Sequence, residues 1–259
     1  MEMKTDRTVR HRGQGIPVQS GFQERSIHNG TVPGMKSTGS GPIPPRAVPA
    51  RALQRDAFRY LLLAGAGVLL ASWALADTGS LGPAYVAKSL ALLGLSGVWI
   101  WHSLAAGTAH PHARFGPANG VTLFRLAMVV LMAALVGETF PRPPLGQVPL
   151  AGWTLIVVAT LTALLDAVDG HLARRSGLSS AWGARFDMET DAFYILVLCA
   201  LVVQAGQVGP WILASGLMRY AFVAAAKLWP WLGGPLAPSR RRQTVCVVQI
   251  TTLIVCLGP

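Results

Sequence analysis

From about residue 59 to its C-terminus the chain carries one apolar run after another, with only short polar interruptions. A run of about 20 apolar residues matches the hydrocarbon thickness of a bilayer, where a helix satisfies all of its own backbone groups. Such runs fall at about 59–76, 84–104, 120–137, 149–168, 188–206 and 209–228, and a seventh opens near Thr244. Composition agrees: 52% of residues are hydrophobic, 13% are charged and the mean hydropathy is +0.45, which puts the chain outside the range of ordinary soluble domains. The expected fold class is therefore all-α, a polytopic membrane helix bundle. An odd number of spans leaves the two ends on opposite sides, and this parity predicts a further span beyond Pro259.

Residues 1–56 differ in kind. They are rich in Gly, Pro, Ser and Arg without periodic aliphatic residues, so they cannot bury enough surface to offset their ordering entropy. They are expected to form a disordered, basic cytosolic tail. The formal net charge of +11 invites a nucleic-acid reading, but the basic residues are spread through the tail and the loops, and no nucleic-acid partner is expected. Lys and Arg gather instead at one end of the spans: in the tail, in the 105–119 loop, at Arg174, Arg175 and Arg185, and at Arg240, Arg241 and Arg242. The opposite ends carry "ADTGSLGP", "ETFPRPPLGQ" and "QAGQVG". The positive-inside rule then makes the basic side cytosolic. Cys199, Cys246 and Cys256 lie within apolar runs and lack paired spacing, so neither a disulfide framework nor a zinc site is expected.

The acidic residues are concentrated where they are least comfortable. Asp166, Asp169, Gly170 and Ala173 follow one another at i, i+3, i+4 and i+7, one stripe of the helix that ends the fourth span. Gly183, Asp187 and Asp191, at i, i+4 and i+8, make a second stripe at the start of the fifth. A connection of about eight residues keeps these helices adjacent, so the stripes can face each other. An ionised aspartate at a helix centre costs about 2.5–3.5 kcal/mol on insertion scales, and close carboxylates also repel. Divalent cations relieve both terms. A donor set of oxygens only favours Mg²⁺, Mn²⁺ or Ca²⁺ over zinc, and two such ions suit phosphate chemistry. Small residues on the same stripes allow either close helix packing or the approach of a ligand. Arg174 follows the stripe and can pair with a phosphate or an aspartate.

Written with its spacing, the stretch is D-x2-D-G-x2-A-R-x8-G-x3-D-x3-D, filled by Asp166, Asp169, Gly170, Ala173, Arg174, Gly183, Asp187 and Asp191. It resembles the signature of the CDP-alcohol phosphotransferase (phosphatidyltransferase) family at every fixed place. "ANGVTLFR" is similar to the start of that family's first core helix, with Asn119, Thr122 and Arg125 matching and Ala118 replacing the usual proline. "RRRQTVCVVQ" resembles a basic segment before a later core helix, with Thr244 and Gln249 matching. The resemblance covers residues 117–259 and implies a six-helix core, preceded by two additional spans at 57–110.

What the resemblance implies about activity is an integral-membrane enzyme of phospholipid biosynthesis. It would transfer a phosphatidyl group from CDP-diacylglycerol to a small polar alcohol and release CMP, with two Mg²⁺ or Mn²⁺ ions as cofactors. Asp166, Asp169 and Asp187 would hold one ion, and Asp166, Asp187 and Asp191 the other. Asp191 would be the catalytic base. Thr122, Gly170, Ala173, Arg174 and Gly183 would receive the CDP group. Arg125, Arg219, Arg240, Arg241 and Arg242 are the cationic candidates for an acceptor that bears phosphate. Arg219, inside an apolar helix, needs a partner in any case: a substrate, the headgroups or a motif aspartate. The resemblance further implies a homodimer in contact with membrane lipid, placed here in a bacterial inner membrane with its active site on the cytosolic face. Two rivals stay open: an aminoalcohol phosphotransferase using CDP-choline or CDP-ethanolamine with diacylglycerol, and a divalent-cation transporter. A transporter would spread its ionisable residues through the bilayer depth, whereas these cluster at one face.

Overall fold

The seven expected apolar runs each coincide with a helix in the computed structural model, which describes residues 50–77, 81–105, 114–138, 150–176, 178, 180–233 and 240–258. These helices are α1 (Ala50–Asp77), α2 (Pro83–Ala105), α3 (Pro117–Ala134), α4 (Leu150–Ser176), α5 (Ala181–Gln204), α6 (Leu213–Leu228) and α7 (Arg240–Cys256). Short 3₁₀ turns, Pro210–Ile212 and Pro230–Gly233, bracket α6. No strand occurs among the described residues. The fold is an all-α polytopic bundle. By length and apolar composition Arg51–Asp77, Pro83–Ala105, Pro117–Ala134 and Pro210–Leu228 can each cross a membrane, and Gly152–Val168 and Gln243–Cys256 are shorter apolar stretches.

Several boundaries differ from the sequence expectation. The tail expected over 1–56 lies outside the described residues up to 49, and its last seven residues form the first turns of α1. Arg240, Arg241 and Arg242 open α7 rather than forming a loop. The acidic stretch interrupts the helices less than expected, because α4 runs on to Ser176 and α5 already begins at Ala181. Hydropathy alone ends a span where charges begin, whereas the helix continues as long as its own ladder and its neighbours hold it.

The centre of the bundle is α3, which packs against α1, α2, α4 and α5. Its Leu123, Leu126, Ala127, Val129, Val130, Met132 and Ala134 are buried. Such burial on several faces suits a central apolar helix, whose polar residues Asn119, Thr122 and Arg125 are buried as well. Pro117 at the first helical position has no N–H to leave unsatisfied, and Gly116 before it takes a φ of 85°, which strongly favours glycine.

Buried polar groups tie the helices in a consistent order. The Tyr194 hydroxyl on α5 donates to the Ala159 carbonyl of α4 at 2.6 Å, and that of Tyr85 on α2 donates to the Leu131 carbonyl of α3 at 3.0 Å. At the far end of α3, Lys88 Nζ donates to the Ala134 and Val136 carbonyls and pairs with Glu138 at 2.5 Å, which satisfies carbonyls left open by the helix terminus. The same end gathers Gln204, which donates to the Leu135 and Glu138 carbonyls. The starts of α3 and α5 and the acidic end of α4 therefore share the opposite end. Outward-facing apolar side chains, among them Leu63, Leu70 and Trp73 on α1 and Met218 and Leu228 on α6, are exposed, the surface a bilayer covers.

Candidate metal centre

Two helices deliver the acidic cluster. Asp166 stands on α4, and Asp187 and Asp191 stand one turn apart on α5. Only four residues separate Ser176 from Ala181, which keeps the ends of the two helices near each other, and both helices pack on α3. The first turn of α5 is set by Ser180, whose Oγ accepts from the Gly183 N–H at 3.0 Å. One carboxylate oxygen from each of Asp166, Asp187 and Asp191 lies within 4.8 Å of the others, an arrangement that can hold a metal ion. All three side chains are partly exposed.

Beneath them lies Arg125 of α3, whose side chain is 1% exposed. Its Nη1 is 2.9 Å from Asp166 Oδ1 and 2.7 Å from Asp187 Oδ1, and its Nη2 is 2.5 Å from Asp191 Oδ1. A guanidinium is always charged and its planar fork reaches several carboxylates at once, so a buried arginine here depends on all three partners. Among the described residues, one cation, Arg125, faces these three anions. The remaining negative charge, carried by hard oxygen donors open to solvent on one side, fits Mg²⁺, Mn²⁺ or Ca²⁺.

The start of α3 completes the site. Thr122 is buried and its hydroxyl donates to the Ala118 carbonyl at 3.2 Å. Asn119 is buried and its Nδ2 donates to the Phe115 carbonyl at 2.5 Å. Gly183 of α5 lies against this side chain: a Cβ added there would stand 2.6 Å from Asn119 Oδ1. For Gly183, then, close packing of α5 on α3 is the role the geometry displays. Gly170 is partly buried on α4, and Asp169, Ala173 and Arg174 follow the same helix, with side chains outside the described residues. Arg241 is exposed on the first turn of α7, flanked by Arg240 and Arg242, whose side chains are likewise not described.

The structure does not bring Arg219 to this cluster. Its Nη2 pairs with Glu189 Oε1 at 2.5 Å. Glu189 is two residues from Asp187 and from Asp191, and about 200° of helical rotation turns it to the other side of α5. The sequence reading assigned Glu189 no role. Its phase gave the signal: an acid out of register with its aspartate neighbours in an apolar helix implies a cation on another helix, and Arg219 is the only lysine or arginine between Leu213 and Val223. Arg125, expected from sequence as an acceptor contact, meets the three carboxylates in this structure.

A family model for CDP-alcohol phosphatidyltransferase matches residues 115–259. No curated protein and no solved structure matches the chain.

Proposed function

The chain belongs to the CDP-alcohol phosphatidyltransferase family, and from this premise we propose that it transfers a phosphatidyl group from CDP-diacylglycerol to a small polar alcohol in phospholipid biosynthesis. Membership makes it a transferase of substituted phosphate groups, and its apolar helices make it an integral membrane protein. The observation that carries the finer reading is the convergence of Asp166, Asp187 and Asp191 at one end of the bundle. This trio is the set the family resemblance assigns to one of two Mg²⁺ or Mn²⁺ ions, and Asp169, one turn from Asp166 on α4, would join Asp166 and Asp187 around the other. When bound, such ions neutralise and polarise phosphate oxygens.

The chain's own groups would do the rest. Thr122, Gly170, Ala173, Arg174 and Gly183 lie on the three helices that meet at the cluster and would hold the CDP group. Asp191 would accept the proton of the acceptor hydroxyl, provided the hydroxyl lies within hydrogen-bond reach. The hydroxyl oxygen forms its bond to the phosphorus that carries the lipid, the bond from that phosphorus to the CMP oxygen breaks, and CMP leaves with the electron pair. Arg125 would keep Asp187 and Asp191 in place through the change of charge. For a phosphate-bearing acceptor the cationic candidates are Arg125, Arg219, Arg240, Arg241 and Arg242, of which Arg125 meets the acidic cluster and Arg219 pairs with Glu189. We place the active site on the cytosolic face of a bacterial inner membrane, where the basic residues gather, and take a homodimer as the working unit. The two helices α1 and α2 form an accessory hairpin before a core at 117–259.

The test is purified protein in lipid nanodiscs with Mn²⁺, offered CDP-diacylglycerol and a panel of polar alcohols, with products read by mass. CMP release together with a new phospholipid is the expected result. Release only with CDP-choline or CDP-ethanolamine and diacylglycerol would replace this reading by the aminoalcohol one. Manganese uptake into sealed vesicles without nucleotide would favour a transporter.

A further inference from the structure

The accessory hairpin touches the core at more than its apolar flank. Asp56, on the second turn of α1, accepts the Phe115 N–H on its Oδ2 at 2.8 Å. The carbonyl of that same residue receives Asn119 Nδ2 at 2.5 Å, and Asn119 in turn abuts Gly183 of α5. One turn beyond Asp56, the ring of Tyr60 lies over Gly120: a Cβ there would stand 2.7 Å from Tyr60 Cε1. Tyr60 also meets the Phe115 ring, at a centroid distance of 5.4 Å.

The end of α2 makes the matching contact with α5. Trp182 Nε1 donates to Ser103 Oγ at 2.9 Å, and the indole stacks on Phe186 at 5.2 Å and meets Phe115 at 5.7 Å. Trp99 of α2 also meets Phe186, at a centroid distance of 6.3 Å. Phe115, Trp182 and Phe186 are all buried. Within two turns of these contacts lie Asn119, Thr122 and Arg125 on α3 and Gly183 and Asp187 on α5.

We propose that Asp56, Tyr60 and the Trp182–Ser103 pair are positioning residues, through which the α1–α2 hairpin holds the starts of α3 and α5 at the spacing the acidic centre needs. The proposal rests on the function proposed above for its kinetic arm only. Physically, the backbone just ahead of a helix has donors without intrahelical partners, and a carboxylate is a stronger acceptor for them than a neutral group. Fixing the Phe115 peptide sets where α3 begins, and the aromatic cluster carries that setting to α5. Small displacements of groups around a reacting phosphate have large kinetic effects, about 10²-fold for 1 Å.

The experiment compares the full chain with Asp56→Ala, Asp56→Asn and Trp182→Phe in nanodiscs, by amide hydrogen exchange and by KM and kcat for CDP-diacylglycerol. Asp56→Ala should speed exchange over residues 115–122 by about tenfold or more, since it removes a hydrogen bond to a charged group, while α6 stays unchanged. KM should rise about tenfold with a smaller change in kcat, because the nucleotide-binding helix ends loosen before the chemistry is altered. Asp56→Asn keeps an acceptor oxygen and should restore most of both. Trp182→Phe keeps a ring but loses the donor, and should speed exchange over 181–187. If Asp56→Ala does not fold, Ser103→Ala takes its place, with faster exchange over 181–187 expected. Wild-type exchange rates in Asp56→Ala, or in Ser103→Ala where it is the substitute, would overturn the proposal, as would an Asn variant no better than Ala. Wild-type protein that releases no CMP would overturn the proposed function, and the exchange arm would still decide the brace.

Discussion

Arg125 and Asp191 meet at 2.5 Å between Nη2 and Oδ1, with the arginine buried and the aspartate partly in solvent. The pair joins α3 to the α5 residue proposed as catalytic base, and Asp166 and Asp187 share the same guanidinium. A protein that gathers three carboxylates at one end of an apolar bundle thus sets a buried guanidinium beneath them and leaves the carboxylates partly exposed.

Removing that cation should therefore leave the carboxylates repelling one another. Arg125→Gln is expected to destabilise the bundle by about 3 kcal/mol, the lower end for a broken buried pair because Asp166 and Asp187 remain partly hydrated. Mn²⁺ should restore part of the loss by supplying charge from the open side. Unfolding followed in detergent, with and without Mn²⁺, measures both effects; equal stability of the variant and wild type in metal-free buffer would contradict the arrangement.

Asp187 belongs to both proposed ion sites. Asp187→Asn should weaken Mn²⁺ binding and lower turnover by at least about 100-fold, since even partners of metal ligands cost 10–100-fold when lost. Titration of Mn²⁺ followed by electron paramagnetic resonance reads the affinity directly, independent of any reaction. Chelation by EDTA should abolish wild-type turnover, and added Mn²⁺ should recover it.

The Arg219–Glu189 pair lies on the other side of α5 from the acidic centre and is proposed to be structural. Arg219→Leu alone should destabilise by about 1–3 kcal/mol because it strands a carboxylate in an apolar setting, and adding Glu189→Leu should recover most of the loss. The double variant should keep its acceptor KM within about threefold, the span of ordinary context effects on a distant site. A large rise in acceptor KM in the double variant would return Arg219 to the acceptor site.

Gly216 packs α6 closely against the backbone of α5. A Cβ there would stand 2.9 Å from Leu196 Cα, a backbone atom that cannot rotate away. Gly216→Ala should cost about 1–3 kcal/mol through overpacking, measured by denaturation, although alanine is the better helix former. An unchanged midpoint would mean that the two helices separate freely.

Much of this molecule was legible before any coordinates. Seven helices follow from seven apolar runs, and the i, i+4 spacing of Asp187 and Asp191 requires a shared stripe. Asp166 could be matched to them because so few residues separate the two helices. The reach of α4 to Ser176 and the start of α1 at Ala50 were not legible, because a polar residue at a helix end reads the same as one in a loop until its neighbours are known. Asp56 is the clearest case: it fell in a segment expected to be disordered, yet it accepts a backbone N–H 59 positions away.

Sequence alone pointed to the bilayer as solvent, to helices as the regular structure expected in it, and to the four aspartates as a candidate metal donor set, because these follow from local composition and helical period. Tertiary structure alone decided which cation faces which anion. Arg125 and Arg219 are both single arginines in apolar helices, and period cannot distinguish their partners. Helix packing does: α3 lies against the aspartate face, α6 lies against the face that carries Glu189, and a buried charge pairs with whatever opposite charge its neighbours bring within reach.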